Sequence, residues 1–384
     1  MKKADLGKYI SIIKGKKANT VYYSPQKGTK RYLQIEDLRD NSQIKYTTDK
    51  GIEATANDVI IAWDGANAGT VGFGIEGFIG STLALLRIKN VDLLNAAYVG
   101  RYLQSKFDFI RSNCSGATIP HVRRDILEEL QIPLPPINEQ KRIATILDKA
   151  DAIRQKRRES LRLADEFLRA TFLDMFGDPV TNPKGWEKVF LRDAILDIIS
   201  GWSIKGESRK KRRGELGILK VSAVTSGYFK PQEHKTISEP PTGRNLIHPE
   251  KDDLLFSRAN TRELVAATCI VNQNYPDLLL PDKLWKLIFN EDLIDPYFFH
   301  AALSNNRLRS ELTKTATGTS GSMLNVSMEK LRNLLIPAPP ITIQRKFREI
   351  YSRIESTKNQ SNHSLSYAEN LFNSLTQRAF KGEL

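Results

Sequence analysis

Two cysteines in 384 residues, Cys114 and Cys269, are too few for a disulfide framework, and neither has a partner at metal-ligand spacing. Both are expected to be buried free thiols. The five histidines (His121, His234, His248, His300, His363) are scattered, with no HxxxH pair and no His/Cys cluster, so no metal site is expected. No apolar run approaches the roughly 20 residues that a bilayer span needs. The opening MKKADLGKYI also lacks the apolar centre of a signal peptide. A cytoplasmic chain without membrane attachment is the expectation.

Catalytic motifs are equally scarce. No GxxxxGK[ST] loop is present, so nucleotide hydrolysis is unsupported. Transfer of a methyl group to a flipped adenine calls for an [N/D]-PP-[Y/F] loop. The pairs Pro135-Pro136, Pro240-Pro241 and Pro339-Pro340 are not so flanked. GFGIEG (72–77) matches GxGxxG but runs on into FIGSTLALLRIK, which reads as a strand rather than a helix opening on a phosphate, so its glycines are assigned to turns. No carboxylate set with an adjacent lysine suggests a nuclease. A binding protein without catalysis or cofactor of its own is therefore expected.

Acid is in short supply as well, with 44 Asp and Glu against 58 Lys and Arg, a formal net charge of +14. Such an excess points to a polyanion, most commonly nucleic acid. An anionic membrane surface is the rival, but no helix pairs a uniformly basic face with an aromatic one.

What the chain does contain is a repeat. IPLPPINEQKRIATIL (132–147) returns as IPAPPITIQRKFREIY (336–351), at a constant offset of 204 positions for the isoleucines (132 and 336) and glutamines (140 and 344). Upstream, SGATIPHVRRDILEELQ (115–131) lies over TSGSMLNVSMEKLRNLL (319–335), which aligns Val122 with Val326 and Leu127 with Leu331. NDVIIAWDGAN (57–67) resembles DDLLFSRAN (252–260), each an acidic residue leading a short apolar strand. The helical stretches beginning at Asp92 and Asp292 also occupy equivalent places. Internal repetition of this kind decides the architecture, and 384 residues are long for a single core.

After each PP a helix should start, with Asn138 and Thr342 as its cap and Gln140 and Gln344 at matching positions. Glu139 places a carboxylate on the positive end of the first helix dipole. Its counterpart is Ile343, so the second start should be weaker.

Apolar residues then recur at Ile143, Ile146, Ala150 and Ile153, pass through Arg157, and resume at Leu161, Ala164, Leu168, Thr171 and Met175. The second series runs Phe347, Ile350 and Ile354, passes Thr357, Ser361 and Ser364, and resumes at Ala368, Leu371 and Leu375. This spacing of three and four predicts a coiled-coil seam. Two helices of about 38 residues, near 57 Å at about 1.5 Å per residue, outrun an ordinary domain. They must run antiparallel if they pack, with Arg157 and Ser160 near Ser361 and Ser364.

The expected fold is α+β: two similar mixed domains separated by two long helices, with pseudo-twofold symmetry. The boundaries read 1–137 for the first recognition domain, 138–177 for the central helix, 178–340 for the second domain and 341–384 for the C-terminal helix. A two-headed basic body suits duplex DNA with two half-sites. The heads differ in sequence, so the target should be bipartite and asymmetric.

The run IPLPPINEQKRIATILDKADAIRQKRRESLRLADEFLRATFLDMFGDPVTNPKGWE, the second IPAPPITIQ and DDLLFSRANTRELVAAT resemble the specificity subunit of type I restriction-modification systems over essentially the whole chain. That resemblance implies two target-recognition domains alternating with two long helices. It also implies a DNA-binding, non-catalytic subunit that docks two methyltransferase (modification) subunits, through which restriction subunits are recruited. S-adenosylmethionine, Mg²⁺ and ATP would belong to those partners. One departure is that domain two opens with Trp186, whereas MKKADLGKYI carries no tryptophan; either that start is trimmed or the first domain manages without one. The competing reading is a stand-alone DNA-binding or scaffold protein with no modification partners.

For contact with DNA, WSIKGESRKKRRGE supplies Lys205, Arg209, Lys210, Lys211, Arg212 and Arg213 on a glycine- and serine-bearing loop suited to phosphates. SPQKGTKRY offers Lys27, Lys30 and Arg31 in the first domain. Base readout calls for forked side chains, Arg for guanine and Asn for adenine. Arg258, Asn260 and Arg262 after the DDLLF strand, and Asn67 in the first domain, are the candidates. The plainer roles for these positions are solvated loop and turn former.

Overall fold

A computed structural model describes residues 2–39, 43–116, 118–237, 243, 245–314 and 324–384. The Pro240-Pro241 pair and residues 319–323 of the aligned turn lie outside the described residues. The chain divides into two units, residues 1–159 with 362–384, and residues 160–361.

The first unit contains β1 (Lys3–Asp5), β2 (Ile10–Lys14), β3 (Lys30–Leu33), β4 (Lys45–Thr47), β5 (Glu53–Ala54), β6 (Asp58–Ala62), β7 (Val71–Phe73), β8 (Gly77–Ile79) and β9 (Leu83–Ile88). There follow α1 (Ala96–Ser105), α2 (Phe107–Ser112), α3 (Arg124–Glu128), β10 (Gln131–Pro133) and the start of α4 (Ile137–Phe176). Its strands form two four-stranded sheets, β2-β9-β6-β7 and β4-β3-β8-β5, and a separate β1-β10 pair.

The second unit contains β11 (Lys188–Phe190), α5 (Leu191–Ala194), β12 (Ile195–Ser200), β13 (Leu216–Leu219), β14 (His234–Ile237), β15 (Leu254–Ser257), β16 (Ala259–Asn260), β17 (Thr268–Ile270), β18 (Leu278–Leu279) and β19 (Leu284–Phe289). After these come α6 (Pro296–Leu303), α7 (Asn306–Lys314), β20 (Leu324–Asn325), α8 (Met328–Arg332), β21 (Leu335–Pro337) and the start of α9 (Ile341–Lys381), whose end belongs to the first unit as the end of α4 belongs to the second. The sheet β12-β19-β15-β17 and the pair β11-β21 repeat the pattern of the first unit, giving a tandem architecture of mixed helix and sheet.

The proline motif is half strand. Ile132-Pro133 pairs antiparallel with β1, and Ile336-Pro337 with β11, so each motif closes its domain before the helix leaves. Both isoleucines are fully buried.

The helices then start at Ile137 and Ile341, each one residue ahead of the expected cap. Asn138 and Thr342 sit in the first turn and not at the cap, because the proline carbonyls open the helix: Pro136 O accepts from the N–H groups of Glu139 and Gln140, and Pro340 O from Ile343 and Gln344. Glu139 pairs with Arg142 at 2.8 Å, whereas Ile343 packs on the apolar core. Packing thus takes the place of charge at the second start.

The stretches from Asp92 and Asp292 are each broken into two helices, and the first begins at a side-chain cap. Asn95 accepts from Tyr98 N–H (3.0 Å) and Asp295 from Tyr297 N–H (2.8 Å). GFGIEG is the β7-to-β8 turn, with left-handed backbone at Gly74 (φ 67°) and a φ of 145° at Gly77. A Cβ on Gly77 would sit 2.6 Å from Arg31 O, which is why glycine is needed there.

Within each unit, halves of the two long helices pack in reversed order. In the first, Arg154 lies 4.4 Å over Phe372 and Arg158 pairs with Glu369 at 2.5 Å. In the second, Phe172 meets Phe347 edge-on at 5.6 Å and Asp165 pairs with Lys358 at 2.6 Å.

The seam departs from the expected series. Ile153 (50% exposed) and Leu371 (44%) point outward, while Leu147, Phe172 and Phe176 are buried. Its buried polar residues are Asp151 and Lys358, whereas Arg157, Ser160, Ser361 and Ser364 are half-buried or exposed. Cys269 is buried and Cys114 half-buried, and both are free thiols. Among the described residues, no helix is long and apolar enough to cross a membrane, and no cluster of His, Cys, Asp or Glu could hold a metal ion.

Candidate nucleic-acid interface

The two basic stretches of the sequence occupy one topological place. SPQKGTKRY ends the β2–β3 connection and enters β3 at Lys30, and WSIKGESRKKRRGE forms the β12–β13 connection. Each connection leaves its strand over a glycine where no Cβ fits: one at Gly15 would meet Gly80 O at 2.1 Å, and one at Gly201 would meet Leu280 O at 1.8 Å.

Four of these nine cations are held by acids. Arg31 binds the buried carboxylate of Asp37 through Nε (3.2 Å) and Nη2 (2.6 Å), and Lys30 pairs with Glu53 at 2.6 Å. Arg209 is gripped by Glu207 and Glu215, each at 2.7 Å, and Lys211 pairs with Asp277. Hydrogen bonds from Arg209 and then from the Arg212 backbone push the Glu215 carboxyl down to about 2. Lys27, Lys205, Lys210, Arg212 and Arg213 are exposed, and among the described residues none of the five is in an ion pair. The basic loop is therefore anchored through Arg209 and Lys211 and presents four outward cations.

Three segments converge beside the origin of each connection: the end of β2 or β12, the residues after β6 or β15, and the residues before α3 or α8. Register establishes the equivalence, since Ala62 pairs with Leu83 as Ser257 pairs with Leu284. Val122 N–H donates to Trp63 O and Val326 N–H to Arg258 O, both at 2.9 Å, which makes Trp63 and Arg258 counterparts.

In the first unit Lys14 lies 5.0 Å over the Trp63 ring and pairs with Asp64 at 2.9 Å; His121 Nδ1 is 2.6 Å from the same carboxylate. Burial pushes the Asp64 carboxyl up, but the hydrogen bonds from His121 and Lys14 outweigh it and hold it below the usual range. In the second unit Arg258 lies 5.7 Å over Trp285, which pairs with Ser200, the counterpart of Lys14. A cation on an indole thus marks the place in both repeats, with the partners exchanged between strands; the ring quadrupole attracts the cation and so favours that placement of the side chain.

Of the readout candidates, Arg258 and Asn260 border this place directly, and Asn260 pairs with Leu324 across β16–β20. The Asn260 side chain accepts from Thr261 N–H at 2.8 Å, a turn-forming bond. Asn67 lies in the turn after β6, where its carbonyl accepts from Thr70 N–H. Arg262 is exposed on the following loop. Lys14, Trp63, Asp64, His121 and Trp285 were missed in the sequence, because they come from strand ends and turns with no motif. The alignment of Val122 with Val326 was the available signal.

Gln140 and Gln344 have a different task. Each is fully buried. Gln140 Oε1 accepts from Asn95 N–H (3.0 Å) and Nε2 donates to the carbonyls of Leu93 and Pro135 (both 2.9 Å). Gln344 repeats this with Asp295 N–H (2.9 Å), Leu293 O (3.0 Å) and Pro339 O (2.7 Å). Each glutamine pins the start of a long helix to the N-cap residue of α1 or α6 in its own domain. At the other end of α4, Trp186 Nε1 donates to Phe176 O (2.9 Å).

Comparison with known proteins agrees with this duplicated geometry. The family model described as type I restriction modification DNA specificity domain matches residues 2–163 and again 183–366. The MjaVIII type I restriction enzyme specificity subunit of Methanocaldococcus jannaschii is 28% identical, over 91% of this chain and 85% of the relative. The EcoKI specificity subunit of Escherichia coli is 23% identical, over 85% and 75%. Among solved structures, the S subunit of a type I restriction-modification system from M. genitalium superposes with a TM-score of 0.60 at 19% identity, covering 98% of this chain and 95% of that one. With both copies of the repeat matched, the chain belongs to the family of type I restriction-modification DNA specificity subunits.

Proposed function

We propose that this chain is the sequence-reading, non-catalytic subunit of a type I restriction-modification complex, and that it recognises a bipartite, asymmetric site in duplex DNA. One observation carries the reading: the same three-segment convergence occurs in both repeats but is built from unlike side chains, Lys14, Trp63 and His121 in one and Ser200, Arg258 and Asn325 in the other. Two copies of one reader with different contact residues suit two different half-sites.

In this proposal residues 1–137 and 178–340 are the recognition domains, and 138–177 and 341–384 are the spacer helices. The outward cations Lys27, Lys205, Lys210, Arg212 and Arg213 neutralise phosphates, which positions the protein without specifying sequence. Arg258 contributes to base readout. Two methyltransferase subunits dock on the chain, restriction subunits join through them, and the assembly works in the cytoplasm.

Methylation mapping tests this. Host genomic DNA should carry one split methylated motif that disappears when this chain is removed, and the chain should co-purify with modification subunits. An unchanged methylation pattern, with the protein purifying alone as a site-specific binder, would favour the stand-alone reading.

A further inference from the structure

We infer that His121 and Asn325 are a matched pair of specificity-determining residues, each reading a base edge in its own half-site; the inference rests on the DNA-reading role proposed above. The two occupy one position of the repeat. Asp64 bridges to His121 in the first unit where Ala259 pairs with Asn325 in the second, and the next residues, Val122 and Val326, make the same backbone bond.

The position is rigid where it must be. Residue 121 closes a tight loop through reciprocal backbone bonds with Ser115 (2.9 and 2.7 Å), and that loop is tied to the turn after β6 by the bond from Gly65 N–H to Pro120 O (2.9 Å). A Cβ at Gly116, where φ is 91°, would lie 2.4 Å from Ile119 O, so glycine is required beside Ser115.

The side chain of His121 is itself aimed. A carboxylate can only accept, so the His121 nitrogen 2.6 Å from Asp64 is the N–H of the ring. Asp64 is held in turn by Lys14 at 2.9 Å. With Nδ1 committed, Nε2 is the atom left for a ligand, on a side chain that remains 48% exposed. In the neutral ring that nitrogen is an acceptor, and the groups it can accept from on a major-groove base edge are the exocyclic amines of adenine and cytosine. Asn325 presents a carboxamide with no hydrogen-bond partner among the described residues. Its donor and acceptor match N7 and N6 of adenine as a fork. The Lys14–Asp64–His121 chain has no counterpart in the second repeat, where Ser200 and Ala259 stand instead. One framework thus offers different hydrogen-bond patterns at its two ends.

The test uses the full chain expressed with its host's modification subunits, comparing wild type, His121→Asn, His121→Gln and Asn325→His by genome-wide methylation mapping and by binding to duplexes varied one position at a time. The histidine variants should shift base preference roughly tenfold at one position of one half-site, and Asn325→His should do so in the other half-site only. Unchanged preference at every position, or an equal loss on all duplexes, overturns the inference. If the wild-type complex shows no methylated motif that depends on this chain, the DNA-reading role itself falls, and that result is distinguishable because it precedes any substitution.

Discussion

Replacing Gln140 with alanine leaves the Pro135 carbonyl buried, and the Asn95 N–H and Leu93 carbonyl part-buried, without these partners. An unsatisfied buried polar group costs about 1–3 kcal/mol, and the three share one cavity, so a loss of about 3 kcal/mol is expected from urea denaturation. Gln344→Ala should cost a similar amount. Gln→Glu at either site should be at least as harmful, because a carboxylate oxygen would face two carbonyls. His300 is a second buried group with a measurable signature. It hydrogen-bonds Thr268 at 2.9 Å, and burial pulls its imidazole down from 6.5 to about 4. The unfolded chain therefore binds a proton that the folded chain refuses between those two values, so stability falls as pH drops from 6.5 towards 4. The loss is up to roughly 3 kcal/mol. His300→Gln should flatten that part of the pH profile; a profile unchanged by the substitution would count against this origin.

At the scale of elements, the basic β12–β13 connection separates anchoring cations from presented ones. If Lys205, Lys210, Arg212 and Arg213 each meet a phosphate, removing all four should reduce the slope of log affinity against log salt by about 3–4. Arg209→Ala should instead release Glu207 and Glu215 and loosen the loop, with a smaller change in slope. Sequence could not sort these six cations, since the decisive acids Glu215 and Asp277 are placed by folding. The glutamines were visible as a repeated letter at constant offset, but the N–H groups they accept from lie 45 and 49 residues away across the domain.

The helical seam was legible in type and in length, and less so in phase. A strict alternation of three and four assumes that each helix packs only on another helix. Here the ends of the helices pack on domain cores, which turns Phe172, Phe176 and Phe347 inward and leaves Ile153 and Leu371 outside. In the second unit Lys358 is buried against Asp165, Glu355 (2.7 Å) and Tyr228 (2.7 Å). Lys358→Met should therefore cost about 1–3 kcal/mol, read by denaturation at neutral pH.

At the scale of the whole chain, duplication allows the two readers to diverge independently. Each unit has its own apolar core and its own cation-on-indole site, with no residue shared between the sites. Substitutions at sites that share no partners add in free energy to within about 0.5 kcal/mol. Arg258→Ala and Lys14→Ala should each weaken binding by about 1–3 kcal/mol, and each loss should depend on the bases of one half-site. The double variant should lose the sum. Duplex binding by the full chain with its modification subunits, at fixed salt, measures all three. A coupling above about 1 kcal/mol would mean that the two sites share one contact or one conformational step, and the picture of two autonomous readers would then give way to a single composite surface. Additivity with half-site dependence would instead locate the target's asymmetry in the unlike residues that the repeat carries at equivalent positions.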